Sequence, residues 1–164
     1  MNDEMSASEL AKQYFESGYN CAQSVALAFA DRVPVTKEQL LALASPFGGG
    51  MGRLRETCGA VSAMFMVTGL LYGYSTPETG EIKAELYRRV QELGLAFEAR
   101  FGSLVCRELL GLQVKHEVPI PAPRTGAFYH NRRCGEFVAA AAGILEETLQ
   151  KWEAEGHVYI AVNC

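Results

Sequence analysis

From Thr57 to Thr76 the chain carries no charged side chain, and this stretch limits the possible fold more than any other. Glycines at 59, 69 and 73 interrupt it, and its apolar centre is too short to cross a bilayer comfortably, which takes about 20 residues. Between Val61 and Leu71 no helical face carries a charge. A helix that is apolar all round has to be enclosed by other elements. The expected fold is therefore all-α, a bundle built round a central helix running from Glu56 or Thr57 to Tyr72, with no membrane insertion.

Six further helices are expected around it. The first runs from Ser6 to Glu16 with Leu10, Tyr14 and Phe15 on one face and stops at Gly18. The second starts behind Asn20 as N-cap, carries Cys21, Val25, Ala28 and Phe29 on one stripe, and ends by Pro34. Thr36 and Gln39 have capping-box spacing for a short third helix, with Leu40, Leu41 and Leu43, that ends before Pro46. After the central helix, Pro77 to Glu81 opens the longest one, reaching Phe101 with Ile82, Leu86, Val90, Leu93 and Phe97 at helical spacing. Ser103 caps a short helix that holds Cys106 and ends at Gly111. The last helix spans Arg132 to Ala154. Between them, Leu112 to His130 contains Pro119, Pro121 and Pro123 and reads as an extended strap. The tail from His157 to Cys164 is expected to pack as an extended segment.

At 164 residues with no linker or repeat, residues 1–164 are expected to form one domain. A net charge of −4 does not suit a phosphate-backbone binder, so nucleic acid is not expected as a partner. The acidic, polar first fifteen residues have neither the basic nor the apolar region of a secretory signal, which points to the cytoplasm. In that compartment five cysteines do not form a disulfide framework. Their role is chemical, or they pack as small hydrophobes.

Four of them fall in one pattern. Cys21, Cys58, Cys106 and Cys134 each occupy the first turn of an expected helix, and each begins an apolar stripe. Free backbone amides and the positive end of the helix dipole stabilise a thiolate there. Arg53 and Arg55 precede Cys58, Arg107 follows Cys106, and Arg132 and Arg133 precede Cys134. If short connections make successive helices antiparallel, the helices that start with Cys21, Cys58 and Cys106 begin at the same end of the bundle. The strap is long enough to bring Cys134 there as well. Cys164, at the chain end, reads as a spare thiol.

The order Cys21, then Cys58-Gly59-Ala60-Val61-Ser62-Ala63, then Cys106, then Cys134 resembles the C_GCAxxG_C_C family of putative redox-active proteins. The glycine run Gly48-Gly49-Gly50-Met51-Gly52 ahead of the motif is also similar to that family. Ala63 departs from it, standing where the motif CGAxxG has glycine. The resemblance implies redox activity and names no substrate or redox partner.

Other constellations add less. Gly48, Gly49, Gly50 and Gly52 can form a nest of N–H groups for an anion or cofactor, or simply a tight turn between helices. No Lys-Ser or Lys-Thr follows at P-loop spacing. There is no Cys-x-x-Cys, so neither a thioredoxin-type pair nor a zinc knuckle is present in sequence. His116 and His130 flank the strap, and Glu56 adjoins the Cys58 turn, each a surface residue or a proton carrier. The leading expectation is thiol–disulfide chemistry, an oxidoreductase type of activity with Cys58 as nucleophile and Cys21, Cys106 or Cys134 resolving. The alternatives are zinc or an iron–sulfur cluster bound by the same four cysteines, and a helical scaffold in which they only pack.

Overall fold

Helix caps set the first boundaries. In the computed structural model, which describes residues 4–77 and 80–159, Ser6, Asn20 and Thr36 accept hydrogen bonds from the backbone N–H of Glu9, Gln23 and Gln39. Those three side chains accept in return from the backbone N–H of each cap. These capping boxes satisfy amides that a helix start would otherwise leave unpaired. They open α1 (Ala7–Glu16), α2 (Cys21–Leu27) and α3 (Lys37–Ala44). α4 (Gly59–Tyr72), α5 (Gly80–Phe101), α6 (Cys106–Leu109), α7 (Gly126–Asn131) and α8 (Cys134–Ala154) complete the bundle. Among the described residues there is no strand, only an isolated bridge between Thr57 and Val105. No described helix is long and apolar enough to cross a membrane.

α4 is the centre, as its uncharged sequence requires. Nine of its 14 residues are buried and none is exposed. It packs against α2, α5 and α8, while α1 lies along α8. Val61, Met64 and Val67 are fully enclosed, and burying each side chain contributes about 1.5–3 kcal/mol. Ala63 is also fully enclosed, so a larger side chain there would have to displace its neighbours.

Four expectations change. Ser103 does not cap α6: Val105 stands at the N-cap with no side-chain hydrogen bond, and Ser103 accepts from the Val105 N–H. α2 is shorter than its apolar stripe suggested, because the chain tightens into a 3₁₀ turn at Ala30–Arg32 before Pro34. The strap is not extended throughout: Thr125 accepts a hydrogen bond from the Phe128 N–H and opens α7 within it. On α5 the stripe is buried only from its middle onward. Leu93 and Phe97 are enclosed, whereas Ile82 is 43% exposed and rims a groove beside Val158. Periodicity identifies which residues share a face, but burial requires an element opposite. The expected tail past Tyr159, including Cys164, and residues 78 and 79 in the expected start of α5 lie outside the described residues.

Candidate functional site: a four-cysteine cavity

Each of the four cysteines stands at a helix start. Cys21, Cys106 and Cys134 are the first residues of α2, α6 and α8, and Cys58 is the N-cap of α4. All four are free thiols and all line a single cavity of about 70 Å3. The cavity is also lined by Phe15 and Phe137 from α1 and α8 and by Phe128 from α7.

Close approach of the backbone makes this gathering possible. A Cβ at Gly59 would lie 2.5 Å from Cys21 Sγ and 2.6 Å from the Phe47 carbonyl. A Cβ at Gly50 would lie 2.5 Å from Cys106 Cβ. Only glycine fits at either place. Gly50 also has φ +66, within a loop where Met51, Arg53 and Arg55 have positive φ as well. For non-glycine residues that conformation costs on the order of 1–2 kcal/mol each, and such strain tends to cluster at functional sites.

The family model for C_GCAxxG_C_C, described as a putative redox-active protein, matches residues 19–148 and so takes in all four cysteines. The chain belongs to this family. No curated protein and no solved structure matches significantly.

In this family member the Cys58–Gly59 step has a direct physical reading. Cys58 caps α4, and Gly59 makes room for the sulfur of Cys21. The glycine loop also acts on the thiol, because the Gly49 backbone amide works to lower the Cys21 pKa against the larger effect of burial. The loop therefore serves as the tight approach to the cysteines, with Gly48 packed against the Asn20 side chain.

Electrostatics distinguish the sulfurs. Burial pushes the Cys58 thiol well above its ordinary range, against the opposing hydrogen bonds of the Val61 and Ala60 amides. Burial likewise raises Cys21, and it pushes Cys134 up to about 12 although Arg132 and Arg55 oppose the shift. The helix-start effect is thus present but outweighed by desolvation.

The arginines expected beside Cys58 serve other groups. Arg55 Nη1 donates to Cys106 Sγ at 3.5 Å, and its Nε and Nη2 donate to Glu117. Burial disfavours the Arg55 charge, but its hydrogen bonds to Glu117 and Cys106 hold the guanidinium above its ordinary pKa. Arg53 also binds Glu117, at 2.7 Å, and donates to the Val118 carbonyl. Arg107 pairs with Glu56 at 3.0 Å and Arg133 with Glu136, so neither faces a sulfur through its charge.

Neither His116 nor His130 lines the cavity, and Glu56 is committed to Arg107. Sequence reasoning missed Glu117, Arg124 and Phe128. One signal for Glu117 was available: it is the lone acidic residue between Glu108 and Glu136, downstream of two arginines that had no assigned carboxylate. Arg124 stacks on Phe15 and Phe128 at 4.5 and 4.6 Å, fastening the strap over the cavity. Among the described residues no group of three or more His, Cys, Asp or Glu side chains is arranged to hold a metal ion.

Proposed function

We propose that the protein carries out thiol–disulfide exchange, with Cys106 as the attacking thiolate and Cys21 as the resolving thiol. The observation that carries this reading is the Arg55 guanidinium, buried at one wall of the cavity, with an N–H 3.5 Å from the Cys106 sulfur. A neighbouring cation favours the thiolate, which is the nucleophile. Cys58, preferred on sequence, has burial against it in this role. Cys21 lines the same cavity as Cys106 and is coupled to it electrostatically, which supports it as the resolving sulfur.

In the first step the Cys106 thiolate attacks one sulfur of a substrate disulfide. A bond forms between Cys106 and that sulfur, the substrate S–S bond breaks, and the other half leaves as a thiolate. Cys21 then loses its proton and attacks the Cys106 sulfur, which expels the second half. Two protein thiols become one disulfide, and the substrate disulfide becomes two thiols that take up the two protons. An external dithiol returns the protein to its reduced form.

Reduced protein is alkylated across a pH series and each site read by mass spectrometry, with disulfides mapped after mild oxidation. Cys106 should alkylate fastest, a Cys106–Cys21 disulfide should form, and Cys21→Ser should trap the mixed disulfide on Cys106. Undiminished exchange in Cys106→Ser would overturn the assignment. So would a stoichiometric metal or cluster held by the thiolates after anaerobic purification.

A further inference from the structure

Next to the sulfur cavity lies a larger cleft of about 270 Å3, between the glycine loop and the proline strap. Arg53, Arg55, Arg124 and Arg132 all line it, and no acidic residue does. Three of these arginines, Arg55, Arg124 and Arg132, also line the sulfur cavity, so the two spaces share a wall. One carboxylate, Glu117, serves Arg53 and Arg55 together. Arg124 is held by the Phe15 and Tyr19 carbonyls, and Arg132 rests on the Phe128 ring at 4.9 Å. Neither forms an ion pair among the described residues. The cleft is therefore strongly positive on a chain whose net charge is −4.

We propose that this cleft binds the carboxylates of a small anionic disulfide and presents its S–S bond to Cys106. The inference rests on the exchange reading above and adds the substrate class. Size is consistent with a division of labour: of the two spaces the sulfur cavity is the smaller, so the sulfurs react there while the charged body of the substrate stays in the cleft. Chemistry supports it too, since guanidinium groups bind carboxylates through paired N–H donors. Here Arg124 and Arg132 are positioned by carbonyl and ring contacts rather than by direct ion pairs, with Glu117 acting on Arg132 only at a distance. The exchange itself stays balanced as written: two Cys thiols are oxidised to a disulfide, and the anionic disulfide is reduced to two carboxylate-bearing thiols.

Three disulfides of similar size test the idea: dithiodipropionate (anionic), bis(2-hydroxyethyl) disulfide (neutral) and cystamine (cationic). Each is mixed with the reduced full-length protein, and formation of the protein disulfide is timed by mass spectrometry. Leaving-group ability alone ranks cystamine first, because its ammonium lowers the pKa of the departing thiol. The cleft predicts the reverse order, with dithiodipropionate ahead of the neutral compound by about 10-fold or more at low salt. That advantage should shrink in about 0.5 M salt, where screening shortens the reach of the arginines. The ratio of anionic to neutral rate should fall toward one in Arg132→Gln and Arg124→Gln and be largely kept in Arg132→Lys. Because each ratio is taken within one variant, a general loss of folded protein cancels. An order that follows leaving-group ability, or a ratio untouched by both glutamine variants, would overturn the substrate class. If none of the three disulfides oxidises the cysteines, it is the exchange reading that fails. Should the glutamine variants not fold, the wild-type order and its salt dependence decide.

Discussion

Among the described residues two arginines are buried, Arg55 at 2% exposed and Arg89 at 3%, and they are accommodated in different ways. Arg55 spends its donors on polar partners, two on Glu117 and one on the sulfur of Cys106. Arg89 lies between aromatic faces, 4.2 Å from the Tyr72 ring centroid and 4.4 Å from that of Trp152. Its Nη2 reaches Glu85 at 3.1 Å, while its Nη1 and the Tyr72 hydroxyl have no hydrogen-bond partner among the described residues. A cation over π faces is stabilised by the ring quadrupoles and aims no charge at a reactive atom. A cation whose N–H meets a thiol changes what that thiol can do. The first arrangement fastens α4, α5 and α8 together, and the second equips a site.

The largest effect should come from breaking the aromatic arrangement. Trp152 is 1% exposed, stacks edge-on against Tyr72 and donates to Glu92 at 3.2 Å. Trp152→Ala is expected to cost about 3–5 kcal/mol, seen as a fall in denaturant midpoint. If that region only holds the fold together, the alkylation rate of Cys106 in the still-folded variant will match wild type. A changed rate would show that the two buried cations are coupled.

Gly50→Ala should come next and should disturb both properties. The new Cβ would meet Cys106 Cβ at 2.5 Å and the Arg55 backbone at 3.0 Å. Overpacking contributes about 1–3 kcal/mol of destabilisation, and the positive φ about 1–2 more. Cys106 alkylation should change together with the midpoint. A variant as stable as wild type would mean that the loop relaxes freely and that its tight approach is not needed.

Much of this is legible in the sequence. Ser6, Asn20 and Thr36 opened their helices as their sequences require, and the uncharged run from Val61 to Leu71 became the centre. The helix-start positions of Cys21, Cys58, Cys106 and Cys134, with the parity of short connections, anticipated a shared cavity. The partners of Arg53 and Arg55 were not legible. Sequence adjacency put them beside Cys58, whereas positive φ at both residues turns them toward Glu117 and, for Arg55, toward Cys106. Adjacency along the chain predicts side-chain proximity in a regular helix, and it fails in a left-handed loop. The balance between dipole and burial at Cys58 was also out of reach, because desolvation depends on what encloses the sulfur.

Glu117→Gln tests the polar arrangement directly. Removing the charge that faces Arg55 should cost about 1.5–3 kcal/mol, the range for hydrogen bonds to charged groups. The loss has a pH signature. Hydrogen bonding from Arg55 holds the Glu117 carboxyl below its ordinary value. Its contribution is therefore present above the unfolded carboxyl range of about 4.3 and lost as pH falls through the lower folded value. The wild-type midpoint should drop toward that of the variant in acid and exceed it at neutral pH. Parallel curves at all pH values would mean that the pair contributes no charge-dependent stability.

The smallest effect should be a gain. Gly69 lies inside α4, in the part of the helix away from the cysteines, and a Cβ there would meet nothing within 4 Å. Its φ is not in the left-handed region. Glycine in a helix interior costs roughly 0.5–1 kcal/mol relative to alanine, because the unfolded chain has more conformations to lose. Gly69→Ala should therefore stabilise the protein by about 0.5–1 kcal/mol, read as a rise in the denaturant midpoint. It should leave the Cys106 alkylation rate unchanged, since the substitution touches neither the glycine loop nor Arg55. Gly50 and Gly69 then make a controlled pair, one held by contact with the cysteine cavity and one free to change. If Gly69→Ala instead destabilises the protein, the far part of α4 is packed more tightly than its open surroundings indicate. If it alters thiol reactivity, the central helix transmits strain along its length, and the separation between the fastened region and the reactive one does not hold.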